Sequence, residues 1–71
     1  MTNTLELDIA LKRAGITRLE AAKQLGISLT AFFNKLHNKT EFKASEIASL
    51  KKILNLSEEE RDKIFFTCEV D

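Results

Sequence analysis

The chain has 71 residues, of which 44% are apolar and 31% charged, with no proline and only two glycines. This length leaves room for one compact domain over residues 1–71, and the scarcity of glycine and proline favours helices over an all-β fold. A single cysteine, Cys68, excludes an internal disulfide, and with one histidine it is too little for a structural zinc site. We therefore expect a helical domain with no metal and no cofactor.

The formal net charge is zero, but the charges are unevenly distributed along the chain. Residues 1–11 carry −2, residues 12–43 carry seven bases against two acids for +5, and residues 44–71 carry seven acids against four bases for −3. A basic middle segment is compatible with a domain that binds a polyanion on one of its faces. A net charge of zero is unfavourable for a protein that binds DNA by itself, because the affinity of such a protein depends on how many phosphates it neutralises.

No membrane segment is predicted. The apolar runs Ala31–Phe33 and Ile64–Phe66 have three residues each, far fewer than the ~18 that a spanning helix needs. The N-terminus also lacks a basic region followed by an apolar one, which is the pattern of a secretory signal. We therefore expect a cytoplasmic protein with no membrane partner.

Five helices are predicted from capping residues and apolar spacing. Asn3, Thr17 and Ser57 each precede a glutamate by three residues, which is the capping-box spacing, and Ser28 is a further N-cap residue. Apolar residues recur at helical intervals after each start, and Phe42 precedes the fourth such run. The predicted helices span about residues 4–14, 18–25, 29–37, 44–55 and 58–66.

The second and third predicted helices are joined by a very short turn. Gly26 ends the first of the two, and Asn38 is able to adopt the left-handed conformation that ends the other. Two helices joined through a glycine by two or three residues match a helix-turn-helix unit, here over about residues 17–37. Ala21 and Ala22 supply the small side chains that such a crossing requires.

On these residues the chain resembles the Cro and repressor-type helix-turn-helix family. The likeness consists of a helix started by Thr17, an alanine, the sequence Leu-Gly-Ile-Ser at residues 25–28 and a recognition helix. It continues through residues 38–57 and 64–66, which look like small regulators of temperate phages. The resemblance implies an all-α, five-helix lambda-repressor/Cro-like domain that regulates a lysis–lysogeny-like switch in a bacterial host cell.

The resemblance also implies which residues meet a partner. In the family, the N-terminal part of the third helix touches base edges, and the start of the second helix touches phosphate. The implied base-facing residues are Leu29, Thr30, Phe33 and Asn34. The implied phosphate contacts are Arg18, Ser28, Lys35 and Lys39. Leu29 and Phe33 depart from the family pattern, since an apolar side chain can touch a thymine methyl but cannot distinguish donors from acceptors.

Two interpretations of the third helix remain open. Phe32, Leu36, Leu29 and Phe33 span about 100° of the helix, which is the width of an ordinary core-facing stripe, so all four can be core. The family pattern instead leaves Leu29 and Phe33 outward, as an apolar patch of the kind that binds proteins. The polar rim of that patch consists of Thr30, Asn34 and His37.

The exposed patch leads to the preferred functional hypothesis. The protein is expected to act as an antirepressor or modulator that binds a partner phage repressor through the third helix, with the basic residues steering an acidic partner surface. The alternative is a Cro-like, sequence-specific repressor that binds double-stranded operator DNA. In that case Thr30 and Asn34 touch bases, and the four implied phosphate contacts hold the backbone.

No enzymatic activity and no small-molecule substrate are predicted. The single histidine, His37, lies at a helix end without a nucleophile pattern, and the chain has no glycine-rich phosphate loop. The acids Glu58–Glu60 are explained by the dipole of the helix that they begin. Ile64–Phe66 are expected to close the core or to contribute to a dimer contact, and residues 65 and 66 cannot face the same side of a helix. Residues 67–71 are expected to be frayed or loosely docked.

Overall fold

The computed structural model describes residues 1–66, and these form five α-helices and no strands. The helices are α1 (Thr4–Ala14), α2 (Arg18–Leu25), α3 (Leu29–Leu36), α4 (Ala44–Ile53) and α5 (Glu58–Phe65). The prediction of an all-α chain with five helices is confirmed. None of these helices is long and apolar enough to cross a membrane. The predictions for residues 67–71, including Cys68, lie outside the described residues.

Each helix begins at a local capping interaction. The side chains of Asn3, Thr17, Ser28 and Ser57 each accept a hydrogen bond from the backbone N–H three residues later, as the spacing predicts. The helix α4 begins differently, because its flanking residue is a lysine that cannot accept such a bond. There the Glu46 carboxylate accepts from the backbone N–H of residue 43 at 2.8 Å.

Four helices end at a residue in the left-handed conformation. These residues are Gly15, Gly26, Asn38 and Asn55, with φ between 54° and 73°. In each case that residue and its successor donate their N–H groups to carbonyls of the last helical turn, which satisfies acceptors that the helix leaves unpaired. The predicted end of α4 at residue 55 was wrong by two residues because Asn55 adopts this conformation. The predicted ends of α3 and α5 were each one residue too long.

The core is built from residues of all five helices and from the segments on either side of α4. The ring of Phe42, which precedes α4, packs edge-on against Phe32 at 5.8 Å and Phe65 at 5.5 Å between centroids. Ile64 and Phe65 are buried, whereas Phe66 is 55% exposed, so residues 65 and 66 face different sides as predicted. The buried apolar residues are Leu7, Ala10, Leu11, Ala21, Ala22, Phe32, Leu36, Phe42, Leu50, Leu54, Leu56, Ile64 and Phe65.

Thr2 and Asn3, which precede α1, form hydrogen bonds to two distant parts of the chain. The Asn3 backbone N–H donates to the carbonyl of Ile64 at 2.6 Å, which joins α1 to the end of α5. The Thr2 N–H donates to Oδ1 of Asn38 at 2.8 Å, and Nδ2 of Asn38 donates back to the Thr2 carbonyl at 2.9 Å. These bonds hold the C-terminal end of α3 against the N-terminus.

Candidate functional site

The helices α2 and α3 are brought together by a turn of three residues, 26–28. Gly26 has φ of 73°, a conformation that a residue with a side chain adopts at a cost. Ala21 and Ala22 on α2 are fully buried, as expected for small residues at a close helix crossing. The hydroxyl of Ser28 accepts from the N–H of Ala31 at 3.0 Å and so fixes the first turn of α3.

The two halves of the apolar stripe on α3 have different surroundings. Phe32 and Leu36 are fully buried, whereas Leu29 is 46% exposed and Phe33 is 43% exposed. The interpretation that all four side chains are core is therefore wrong, and the exposed patch is confirmed. The reason is geometric, since the stripe extends beyond the edge of the contact between α3 and the remaining helices.

Two other planar side chains lie close to the ring of Phe33. The guanidinium carbon of Arg18 on α2 is 5.8 Å from the centre of the Phe33 ring, within the distance of a cation–π contact. On the next turn of α3, the His37 ring lies 4.3 Å from the same ring, tilted by 56°. These contacts restrain the Phe33 ring, and the residue remains 43% exposed.

Arg18 is paired with an acid on α1. Its Nε and Nη2 atoms donate to the two carboxylate oxygens of Asp8 at 3.2 and 2.8 Å, a two-pronged geometry that is stronger than a single contact. The side chains remain 40% and 28% exposed. The cation implied to touch phosphate is thus partly neutralised within the protein.

Lys35 is paired with an acid on α4. Its Nζ donates to Oε1 of Glu46 at 2.7 Å, and the two side chains are only 12% and 10% exposed. Burial acts to raise the pKa of Glu46, but the hydrogen bonds from Lys35 and the residue 43 backbone, together with two lysine charges, lower that pKa below its ordinary value. Lys35 therefore does not join the other predicted contacts on the surface, because its ammonium group is covered.

The remaining predicted contacts lie on or beside the exposed face of α3. Thr30 and His37 are exposed, and Asn34 is half-buried. Ser28 and Lys39 are exposed at the two ends of the helix, and no acid within residues 1–66 forms an ion pair with Lys39. We call the set Arg18, Leu29, Thr30, Phe33, Asn34 and His37 the α3 surface.

Sequence reasoning missed the two acids that pair with the predicted basic residues. Asp8 precedes Arg18 by ten residues, and Glu46 follows Lys35 by eleven, so each pair joins different helices. No spacing rule within a helix links residues so far apart. The only local signal was the position of Glu46 in the first turn of α4, where a carboxylate is favoured for a different reason.

No family model matches the chain, and no curated protein or solved structure is significantly similar to it. Within residues 1–66, the His, Cys, Asp and Glu side chains form no group of three or more that could hold a metal ion.

Proposed function

We propose that the chain is a helix-turn-helix regulator of transcription from a phage-type lysis–lysogeny switch. Its action is to bind a partner repressor through the α3 surface and so to modulate repression. The helix-turn-helix assignment is supported by the short turn between α2 and α3 and by the resemblance of residues 17–36 to the Cro and repressor-type family. The five-helix architecture is compatible with that assignment.

The observation that carries the proposal is the exposure of Leu29 and Phe33 on α3. The resemblance implies base contacts at these positions, yet neither side chain offers a hydrogen-bond donor or acceptor. An exposed aromatic ring held in place and surrounded by polar groups is typical of an anchor residue in a protein interface. The rim here is supplied by Thr30, Asn34 and His37.

The charges near α3 also favour a protein partner. Of the four implied phosphate contacts, Arg18 is bound to Asp8 and Lys35 is covered with Glu46. Binding to duplex DNA depends on the number of phosphates that a protein neutralises. Two internal ion pairs reduce that number, whereas a protein interface centred on an apolar anchor does not require free cations.

The proposed mechanism is occlusion of the repressor's own DNA-contacting surface. Phe33 and Leu29 enter an apolar site on the repressor, and the polar rim of the α3 surface satisfies groups at its edge. Lys39 and the partly exposed Arg18 attract acidic groups during the encounter, which raises the association rate more than the affinity. A repressor held in this way cannot place its own recognition helix in a major groove.

A Cro-like operator-binding repressor is the second candidate function. It is favoured by the exposure of Thr30 and Lys39 and the partial exposure of Asn34, because these side chains can reach base edges and phosphate. In this case the +5 segment of residues 12–43 would face the DNA.

The deciding experiment is a gel shift on the early promoter region of the genome that encodes the chain. The protein is tested at low salt, alone and with the repressor encoded beside it. We expect no tight shift from the protein alone and loss of the repressor's shift when the protein is added. Phe33→Ala should weaken this effect by about 2 kcal/mol or more in affinity.

Leu5→Ala is the matched control, because Leu5 on α1 is also an exposed apolar residue, at 68%, and it belongs neither to the α3 surface nor to the surface between α4 and α5. It should leave the effect on the repressor unchanged. Tight, salt-dependent binding of DNA by the protein alone would favour the operator-binding candidate. Arg18→Ala and Lys39→Ala would then weaken binding, and Phe33→Ala would matter little.

A further inference from the structure

A concave surface lies between α4 and α5, and it shares no residue with the α3 surface. It encloses about 730 Å³, within the range of sites that bind small molecules or peptide side chains. Its base is apolar and includes the buried residues Phe42 and Leu56, with Ile47 on α4 and the exposed ring of Phe66 at its side. We call this surface the α4–α5 groove.

The charged residues that line the α4–α5 groove are all basic. Lys51 and Lys52 come from α4, and Arg61 comes from α5 on the opposite side. Within residues 1–66, no carboxylate lies within ion-pair distance of either lysine. Arg61 donates to the neighbouring Asp62 and also lies over the Phe66 ring at 5.7 Å. The groove thus has two lysines without an acidic partner on its α4 side and, on its α5 side, an arginine that is paired with Asp62.

We propose that the α4–α5 groove binds an acidic peptide segment of a partner protein in which apolar residues alternate with carboxylates. The apolar base requires apolar side chains, because water there is displaced favourably only by nonpolar groups. Lys51 and Lys52 on α4 favour carboxylates beside those groups, because neither lysine has an acidic partner within residues 1–66. A single-stranded nucleic acid can stack its bases on the phenylalanine rings, but Lys51 and Lys52 neutralise two phosphates at most, and affinity for nucleic acid depends on that number.

The test uses the full-length protein and a labelled synthetic peptide, acetyl-Glu-Leu-Glu-Leu-Glu-Leu-Glu-amide. Binding is followed by fluorescence anisotropy and by NMR of the nitrogen-15-labelled protein. We expect amide shifts concentrated at Ile47, Ala48, Lys51 and Phe66. Peptides with lysine in place of glutamate, or serine in place of leucine, should bind about tenfold more weakly or worse, a difference of about 1.4 kcal/mol.

Charge reversal in the protein provides the matched comparison. The double variant Lys51→Glu/Lys52→Glu should lose about tenfold or more in affinity for the acidic peptide. Lys12→Glu/Lys23→Glu changes the net charge equally at exposed positions of α1 and α2. That control should keep most of the affinity.

Several results would overturn the proposal. Equal binding of the serine-containing peptide would show attraction by net charge alone. Tighter binding of a short single-stranded oligonucleotide at the same amides would assign the groove to nucleic acid. A gain of about tenfold or more on Glu69→Gln/Asp71→Asn, without an equal gain on the charge-matched control Glu58→Gln/Glu59→Gln, would mean that the groove is used by the C-terminal residues of this chain or of a second copy.

Discussion

Arg18 on α2 and Asp8 on α1 form a two-pronged ion pair beside the exposed ring of Phe33, with bonds of 3.2 and 2.8 Å. The pair joins α1 to the α3 surface, because Arg18 belongs to that surface and Asp8 lies on α1. A carboxylate in this position competes with any other anion for the guanidinium. The acid on α1 therefore influences the electrostatics of the α3 surface without being part of α3.

Removing the charge of Asp8 should increase the affinity of the protein for duplex DNA. Asp8→Asn frees the guanidinium of Arg18 and should increase the salt dependence of non-specific duplex binding by about one unit of slope. Asp62→Asn is the control, because it removes an equal charge that is paired with Arg61 on α5. Fluorescence anisotropy over a range of salt concentrations measures both variants. An equal increase of the slope in Asp8→Asn and Asp62→Asn would show that the net charge alone sets the salt dependence.

Two adjacent phenylalanines should differ sharply in their contribution to stability. Phe32 is fully buried and Phe33 is 43% exposed. Phe32→Ala should reduce the free energy of unfolding by about 3–5 kcal/mol, whereas Phe33→Ala should cost below about 1 kcal/mol. Urea unfolding followed by circular dichroism checks both values. A large loss of stability in Phe33→Ala would contradict its assignment as an available anchor.

The covered pair of Lys35 and Glu46 should be sensitive to removal of one partner. Glu46→Gln keeps an acceptor for the backbone N–H of residue 43 but leaves the Lys35 ammonium without its counter-charge. We expect a loss of about 2 kcal/mol in the free energy of unfolding. The double variant Lys35→Met/Glu46→Gln should recover part of this loss, because the uncompensated charge is gone. Denaturant unfolding of these two variants and of the single variant Lys35→Met, compared as a double-mutant cycle, measures the interaction energy of the pair.

Acid should destabilise the protein through three glutamates. A backbone N–H at the start of α2 and another at the start of α5 hydrogen-bond Glu20 and Glu60 and lower their pKa values. The pKa of Glu46 is also lowered, although its burial acts in the opposite direction. A lowered folded-state pKa stabilises the protein above the ordinary glutamate value of about 4.3, and this contribution is lost as the pH falls through the folded-state value.

The thermal midpoint should therefore fall between about pH 5 and about pH 3, and Glu46→Gln should show a shallower decrease. Glu59→Gln removes an exposed carboxylate of α5 and should leave the slope nearly as in the parent protein. Calorimetry at several pH values measures the thermal midpoint of the parent protein and of both variants. If the thermal midpoint of Glu46→Gln falls as steeply with pH as that of the parent protein, Glu46 does not contribute to the acid sensitivity.

Asn38 should stabilise the chain in two separable ways. Its φ of 65° is unfavourable for most residues with a side chain, and its amide makes two hydrogen bonds to Thr2. Asn38→Gly keeps the backbone conformation and should lose about 1 kcal/mol, whereas Asn38→Ala should lose about 2 kcal/mol or more. Thermal unfolding of both variants separates the two effects. Equal losses would show that the hydrogen bonds account for the whole effect.

Much of the fold was predictable from short-range patterns, whereas the six residues of the α3 surface were predicted with the help of the family resemblance. The capping side chains of Asn3, Thr17, Ser28 and Ser57 predicted the helix starts. The division between Phe32, which is buried, and Phe33, which is exposed, required the family resemblance, because periodicity alone allowed both to be core. The shortened end of α4 was missed because an asparagine is a weaker signal of a helix end than a glycine.

The sequence by itself determined the helical class, the number of helices and where each one begins, because caps and left-handed ends depend on residues within one turn of each other. Only the tertiary structure decided that Asp8 meets Arg18 and that Glu46 covers Lys35. It also brought Lys51, Lys52 and Arg61 to one groove. These contacts depend on how the helices cross, and crossing is set by the packing of the whole core rather than by any local spacing.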